Sequence, residues 1–584
     1  MVRYFCFFVA MTVLLQVNSN LRADNNSELD QLWNAIGLKI NETSKDQLKP
    51  TTPLTPKKQF SSALKRLSYL PIQEGGRIKP LEAFAQNSIL RLIGKSSFKG
   101  WSPVEFLISL GAYREVWRKE KFLKIERPDF KRQIAIDESR LLYSPEEIVS
   151  NATVLQYLSL DDKGALMQVA PIPKVSRPDP RKQALYKLMD QLSLLGALES
   201  GLAWTVRPSV SVEVPWGHLM PAPGIPPEDD YMKAYLGSLL SYYLDDAKSM
   251  EAFVTILENK LQAAALETNA WSQTKLKIET LYLKTHPLMW AWILYLLAVL
   301  SWALVGVNAK FKYFAMSSFV AGFGIQIIGM ISRSYVAGRP PVTNMYESIV
   351  WVSFGTILFA WILYYKHRKT GVLLTAGVLS ILALILSDAA PAVIDPGIHE
   401  LVPVLRSNYW LTIHVLTITI SYAAFALAMG LGNGVLFRYL RGDPKVPSKL
   451  LELKSQLGQM YKALQFGVVL LALGTILGGV WADYSWGRFW GWDPKEVWAL
   501  IALLGYLVIL HARYTGWMRD FGFAAWTVIA FALVVMAWYG VNFVLGVGLH
   551  SYGFSQGGQG TVAFLTLAQV SFVLWVTYKV RVSR

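Results

Sequence analysis

The sequence predicts an all-α polytopic membrane protein of eight to nine transmembrane helices, preceded by an exported, mainly helical domain. Three observations carry this expectation. Charge is unequally divided: residues 1–285 hold 36 Lys and Arg and 31 Asp and Glu, whereas residues 286–584 hold only 21 and 10, too few to cover a soluble domain's surface. Apolar runs recur after His286, each near the roughly 20 residues that cross a bilayer core. The segments between them alternate between rich and poor in Lys and Arg, the pattern that sets membrane orientation. A wholly soluble enzyme is thereby excluded. Of the net charge of +16, 11 lies in the apolar half, so it reads as topology, and a nucleic-acid partner loses its main support.

Taken in order, Met1-Val-Arg3 and the apolar stretch Tyr4 to Leu15 read as a secretory signal over residues 1–20, with an uncleaved anchor as the rival. Either version exports residues 21–285. The single cysteine, Cys6, lies in this opening stretch, so no disulfide, thiolate metal site or cysteine nucleophile is expected in the mature chain. Helical periodicity marks Pro80 to Ile93 and Asp230 to Leu266, and Pro-rich segments separate such stretches. No catalytic or metal spacing occurs in this domain.

Nine spans are expected near residues 287–306, 313–332, 345–365, 371–387, 409–437, 463–482, 497–512, 521–545 and 561–578. With the first entered from outside, the inner connections carry 16 Lys and Arg and the outer ones 5, namely Arg333, Arg339, Arg406, Arg488 and Lys495. Positive charge concentrated on one side supports the same orientation.

The chemistry concentrates in the outer connection Trp481 to Trp498, which holds Trp481, Trp486, Trp490, Trp492 and Trp498 among 18 residues. Interfacial belts account for one or two Trp at the end of a span, and that is the plain reading of Trp481 and Trp498. Five would build an apolar platform for a flat aromatic ligand or an acyl chain. A porphyrin is the flat ligand of largest area, and its iron needs axial nitrogen. His218 and His286 lie in or beside the exported domain, and His367 lies in a basic turn. His414 sits about 8 Å inside the fifth span from its outer end, and His550 follows the eighth span on the same side. His511 is about 21 Å into the seventh span. An ionisable group inside a span is a functional candidate, so the histidines suggest an outer pair beside the Trp cluster and a separate inner site.

These residues carry a family resemblance. Trp486-Gly-Arg-Phe-Trp-Gly-Trp-Asp-Pro-Lys-Glu-Val-Trp498 resembles the WWD signature of haem-handling proteins. Pro341 to Ser348, Leu401 to Ser407, Tyr409 to His414, Ser421 to Ala424, Leu510 to Arg513, and Val541-Asn542 through Gly553 fall in the order of the CcsA (ResC) family of system II cytochrome c biogenesis. The resemblance covers about residues 287–553. It implies a transmembrane haem-handling domain over 286–584 with its WWD loop at 481–498, and a periplasmic domain over 21–285. Leu70 to Pro80 resembles the periplasmic segment of longer members.

In that family, two outer histidines flanking the signature ligate haem, by position His414 and His550. An inner site uses a histidine corresponding to His511 and a second from a CcsB (ResB)-like subunit, and no CcsB-like sequence is fused to this chain. The resemblance thus implies a multi-pass protein of the bacterial inner membrane, with the N-terminal domain and WWD loop periplasmic. It would export and present non-covalent haem b, and so be a component of a holocytochrome c synthase acting on an apocytochrome c CxxCH motif. Trp486, Trp490, Trp492 and Trp498 would flank the haem, with no catalytic residue beyond its presentation. Arg488, Lys495 and Arg406 are the outer cations available to propionates, and Asp493 with Glu496 more simply orders the loop. A membrane b-type electron-transfer cytochrome would need stacked His pairs at two depths, and a transporter of lipid or amphiphile would use the aromatic cleft without iron.

Overall fold

The computed structural model describes residues 28–42, 54–95, 97–154, 180–209, 214–219, 230–268, 271–389, 394–400, 408–545 and 558–582. The signal segment, Arg406 and His550 lie outside them. Two compact units divide the chain, Met1–Lys284 and Thr285–Arg584.

The first unit is mainly helical, with three two-stranded antiparallel sheets among the described residues. Leu70 to Pro80 forms one of them: β1 (Pro71–Glu74) pairs antiparallel with β2 (Arg77–Pro80). Gly75 and Gly76 turn the chain at φ +61° and +85°, a conformation two-residue hairpin loops require and glycine adopts without strain. Arg77 donates to both carboxylate oxygens of Glu279, which ties the hairpin to the helix Gln273–Thr285. The periodic stretch Asp230 to Leu266 is two helices, Asp230–Tyr243 and Ala247–Thr268, broken where Asp245 takes φ +62°.

The second unit contains nine helices among the described residues: α1 (Pro287–Ala303), α2 (Lys310–Ala337), α3 (Met345–His367), α4 (Gly371–Ala389), α5 (Asn408–Leu440), α6 (Pro447–Trp486), α7 (Pro494–Tyr514), α8 (Asp520–Val535, continued by a π-helix Met536–Leu545) and α9 (Gln559–Val582). Eight are long and apolar enough to cross a membrane, and a ninth span results if α1 and the preceding helix Gln273–Thr285 form one broken span. The break falls at His286, φ +47°, before Pro287, whose ring and missing N–H interrupt a continuous helix. The all-α polytopic expectation holds.

Helix α6 departs from the sequence expectation at both ends. It begins at Pro447, well before residue 463, because Leu453, Leu457 and Met460 bury one helical face in the bundle. Charged neighbours such as Lys449, Glu452 and Lys454 made this segment resemble a connection. Helix α5 is the hub and packs against α3, α4, α6, α8 and α9. Its run Tyr422-Ala-Ala-Phe-Ala-Leu-Ala428 is buried throughout, since small side chains let several helix backbones approach at once.

A buried ion pair braces α2, α3 and the segment 394–400. Arg333 Nε donates to Glu347 Oε1 at 2.9 Å, and Arg333 Nη2 donates to the Gly397 carbonyl at 2.9 Å. Glu347 Oε2 accepts from the Thr343 amide at 2.9 Å and the Thr343 hydroxyl at 2.7 Å. Asn344 caps α3 through the Glu347 amide and also donates to Gly397. Removing one partner of such a pair leaves a charge in an apolar interior, at about 3–5 kcal/mol. Glu347→Ala is therefore expected to melt far below the unsubstituted protein in detergent; equal melting temperatures would show that the pair supports nothing.

Candidate functional site

The site is built on the contact between α5 and α6. Three glycines of α6 face three large residues of α5 in antiparallel register, Gly467 against Phe425, Gly474 against Ile418 and Gly478 against His414. A Cβ on these glycines would lie 2.5 Å from Phe425 Cε1, 2.9 Å from Ile418 Cα and 2.6 Å from His414 Cε1. The sequence therefore hollows a seat for the His414 ring. His414 Nδ1 hydrogen-bonds the Gly474 carbonyl at 2.7 Å, and the ring lies nearly parallel to Trp481, 7° between planes with centroids 6.3 Å apart. When Nδ1–H donates to that carbonyl, the imidazole lone pair is at Nε2. Orientation of this kind characterises metal-ligating histidines.

The expected 18-residue Trp connection is a helix end, a seven-residue loop and a helix start. Trp481 and Trp486 belong to the last turns of α6, Trp498 to α7, and only residues 487–493 form the loop. Gly487 ends α6 at φ +71°, a left-handed cap at which glycine carries no Cβ penalty. The indoles make two edge-to-face pairs instead of one flat platform: Trp481 with Trp486 at 4.7 Å and 67°, and Trp490 with Trp492 at 5.9 Å and 90°. Ring quadrupoles favour such packing. Trp481 is buried, whereas Trp492 is 72% exposed.

Trp492 has φ +56°, an outlier for a bulky residue that persists only when its surroundings impose it. Glu496 imposes it. Its Oε2 accepts from the Gly491 amide at 2.8 Å and the Asp493 amide at 3.2 Å, on either side of Trp492. Asp493 in turn caps α7, and together they form a capping box. Arg488 folds over Gly491, its guanidinium 5.9 Å from the Trp486 ring and 4.0 Å from Glu496 Oε1. Phe489 packs back onto Gly479.

The π-helix reaches the same end of the bundle. Its Trp538 donates to Ser348 of α3 at 2.9 Å, and its Asn542 accepts at 3.1 Å from Lys495 in the first turn of α7. His550 follows eight residues later, outside the described residues.

His511 belongs elsewhere. It sits near the far end of α7, about 25 Å along the helix from Pro494, exposed on the bundle surface in a stripe with Ile501, Leu504 and Val508. Its Nδ1 bonds the Leu507 carbonyl at 2.7 Å. His414 and His511 are thus not brought together. His367 ends α3, His286 marks the break before α1, and His218 lies exposed in the first unit.

Sequence reasoning missed His399, whose Nε2 lies 2.7 Å from Asp395 Oδ2. Burial alone would push the Asp395 carboxyl up, but the bond and charge of His399 and the Gly397 amide hold it below the usual carboxylate range. Arg339 donates to the His399 carbonyl. The glycine seat of His414 was also missed, although the spacing 467, 474, 478 places those glycines on one helix face.

Residues 342–550 match the family described as cytochrome C assembly protein. The chain is 28% identical over 510 residues to protein NrfI of Wolinella succinogenes, covering 82% of this chain and 53% of that protein, so it spans about half the length of that relative. It is 32% identical over 266 residues to cytochrome c biogenesis protein CcsA of Guillardia theta, covering 86% of that protein, and 33% identical over 256 residues to CcsA of Prochlorococcus marinus, covering 81%.

The grip of Glu496 on the loop is open to test by hydrogen exchange. Glu496→Ala removes the acceptor of two amides, a loss of about 1 kcal/mol, so the Gly491 and Asp493 amides should exchange several-fold faster. Unchanged exchange there would mean that Glu496 does not hold Trp492 in its left-handed conformation.

Proposed function

The chain belongs to the cytochrome c assembly family as a CcsA-type cytochrome c biogenesis protein, and on that premise we propose that it exports and presents haem as a subunit of a system II cytochrome c synthase. It is a multi-pass membrane protein. In this reading the Trp-loop end of the second unit and the domain over residues 21–285 face the periplasm, and haem b is carried non-covalently.

The observation that carries the proposal is the seat of His414. The residues fit an axial site: Nδ1 is held by the Gly474 carbonyl, and Trp481 stacks against the ring at 7°. The second ligand is His550, and the Lys495–Asn542 bond supports it by drawing the π-helix to this end of the bundle eight residues before it. Two histidines would fill both axial positions of the iron and deny oxygen a site. Trp486, Trp490, Trp492 and Trp498 supply aromatic surface, and Asp493 and Glu496 hold the loop in shape, so the contribution is positioning and not acid–base chemistry. Haem, when bound, supplies the vinyl groups to which the thiols of an apocytochrome c CxxCH motif add.

His511 serves a second, inner site in this reading. Two ligands of one iron lie within about 4 Å of each other, given metal–nitrogen bonds of about 2 Å, and the length of α7 separates His511 from the loop. Its exposure beside Ile501, Leu504 and Val508 supports completion by another membrane chain, a CcsB-like subunit.

The expected outcomes differ for the two sites. His414→Ala and His550→Ala each abolish maturation of a reporter cytochrome c, and added imidazole restores part of it by filling the vacated axial position. His511→Ala lowers the haem content of the purified protein without changing the optical spectrum of what remains. Normal maturation by both outer variants would refute the axial assignment.

A further inference from the structure

The edge of the Trp loop holds a cation whose ammonium touches no carboxylate among the described residues and feels Asp493 only through space. Lys495 stands in the first turn of α7 and is part-buried. Its ammonium carries three donors, and one of them reaches Asn542 Oδ1 at 3.1 Å. Among the described residues no Asp or Glu oxygen lies within 4.0 Å of it. Elsewhere in the same unit the buried Arg333 meets Glu347 directly at 2.9 Å, and the part-buried Arg513 meets Asp520 at 2.6 Å.

The carboxylates of the loop are engaged otherwise. Asp493 Oδ2 accepts the Lys495 backbone amide at 3.1 Å in capping α7, and Glu496 Oε2 accepts the Gly491 and Asp493 amides. Asn542 is itself braced: its Nδ2 donates to the Trp538 carbonyl at 3.1 Å, which turns Oδ1 toward the ammonium. It sits in a π-helix, a geometry found frequently at functional sites. A neutral amide orients an ammonium without balancing its charge, and a part-buried charge favours an anionic partner. Such an arrangement is complete when a carboxylate arrives from outside the chain.

The geometry points to Lys495, braced by Asn542, as a carboxylate-recognition site at the edge of the Trp loop that takes a propionate of the bound porphyrin. This rests on the haem reading above and adds to it the group by which the ring is oriented. One propionate anchored at α7 fixes the rotation of the porphyrin about its axial bonds, which two histidines leave undetermined. Lys495 is therefore a positioning residue.

The test uses the purified full chain in detergent, titrated with iron protoporphyrin IX and with its dimethyl ester, and followed by Soret absorbance. The unsubstituted protein is expected to bind the diacid roughly tenfold more tightly than the ester, the scale of one charge-assisted hydrogen bond. Lys495→Gln brings the diacid down to the affinity of the ester and leaves ester binding unchanged, and Lys495→Arg keeps the preference. Retained ester binding shows that the Gln variant is folded. Equal affinity of the unsubstituted protein for diacid and ester overturns the inference while leaving the haem reading in place, as does unchanged diacid binding by Lys495→Gln. Loss of both porphyrins in that variant reassigns Lys495 to a structural role and overturns it as well. Binding of neither porphyrin by the unsubstituted protein overturns the haem reading and this inference together.

Discussion

The close approach of α5 and α6 is the constraint on which the site depends. Gly467, Gly474 and Gly478 let α6 lie against Phe425, Ile418 and His414, and a single Cβ at any of them would meet ring or backbone atoms inside 3.0 Å. Protein interiors are too densely packed to absorb such an intrusion locally. The consequences pass along both helices. Phe425, seated against Gly467, stacks on Tyr506 of α7 at 3.8 Å and 4°, so the contact that seats His414 also sets where α7 lies and where its capped N-terminus meets the loop.

Around this contact the Trp-loop end is held by polar interactions as well as by the burial of Trp481, Tyr539 and Phe543. The Arg333–Glu347 pair and its Thr343 and Asn344 partners join α2, α3 and the segment 394–400. Trp538 ties the π-helix to Ser348 on α3, and Asn542 ties it to Lys495 on α7. In an apolar surrounding each of these groups is costly to leave unpaired. The effect is to fix the ends of helices whose lateral surfaces are largely apolar.

Much of this was legible in the sequence because it depends on local pattern. Hydropathy located the helices of the second unit, and Asp493 and Glu496 could be assigned to loop order from their place beside the start of the seventh span. The depth of His511 in the seventh span, counted from its outer end near residue 497, separated it from His414 by helix length alone. What was not legible depends on contacts between distant segments. The helical stretch Pro447 to Lys462 has charges that mimic a connection, and only its packing shows Leu453, Leu457 and Met460 to be buried. The Trp cluster read as a single platform because composition does not reveal that Trp481 and Trp486 continue a helix or that indoles pair edge to face. The glycine seat of His414, the Lys495–Asn542 bridge and the His399–Asp395 pair each join positions whose proximity is a property of the fold.

The central claim is that His414, seated on the glycine face of α6 and stacked on Trp481, is one of two histidine ligands to haem at the Trp-loop end. Electron paramagnetic resonance of the purified full chain loaded with ferric haem tests it most directly. A low-spin bis-histidine signal that is replaced by a high-spin one in Gly478→Val, where the new side chain displaces the His414 ring, is the result this account predicts. A bis-histidine signal that survives that substitution unchanged would contradict it.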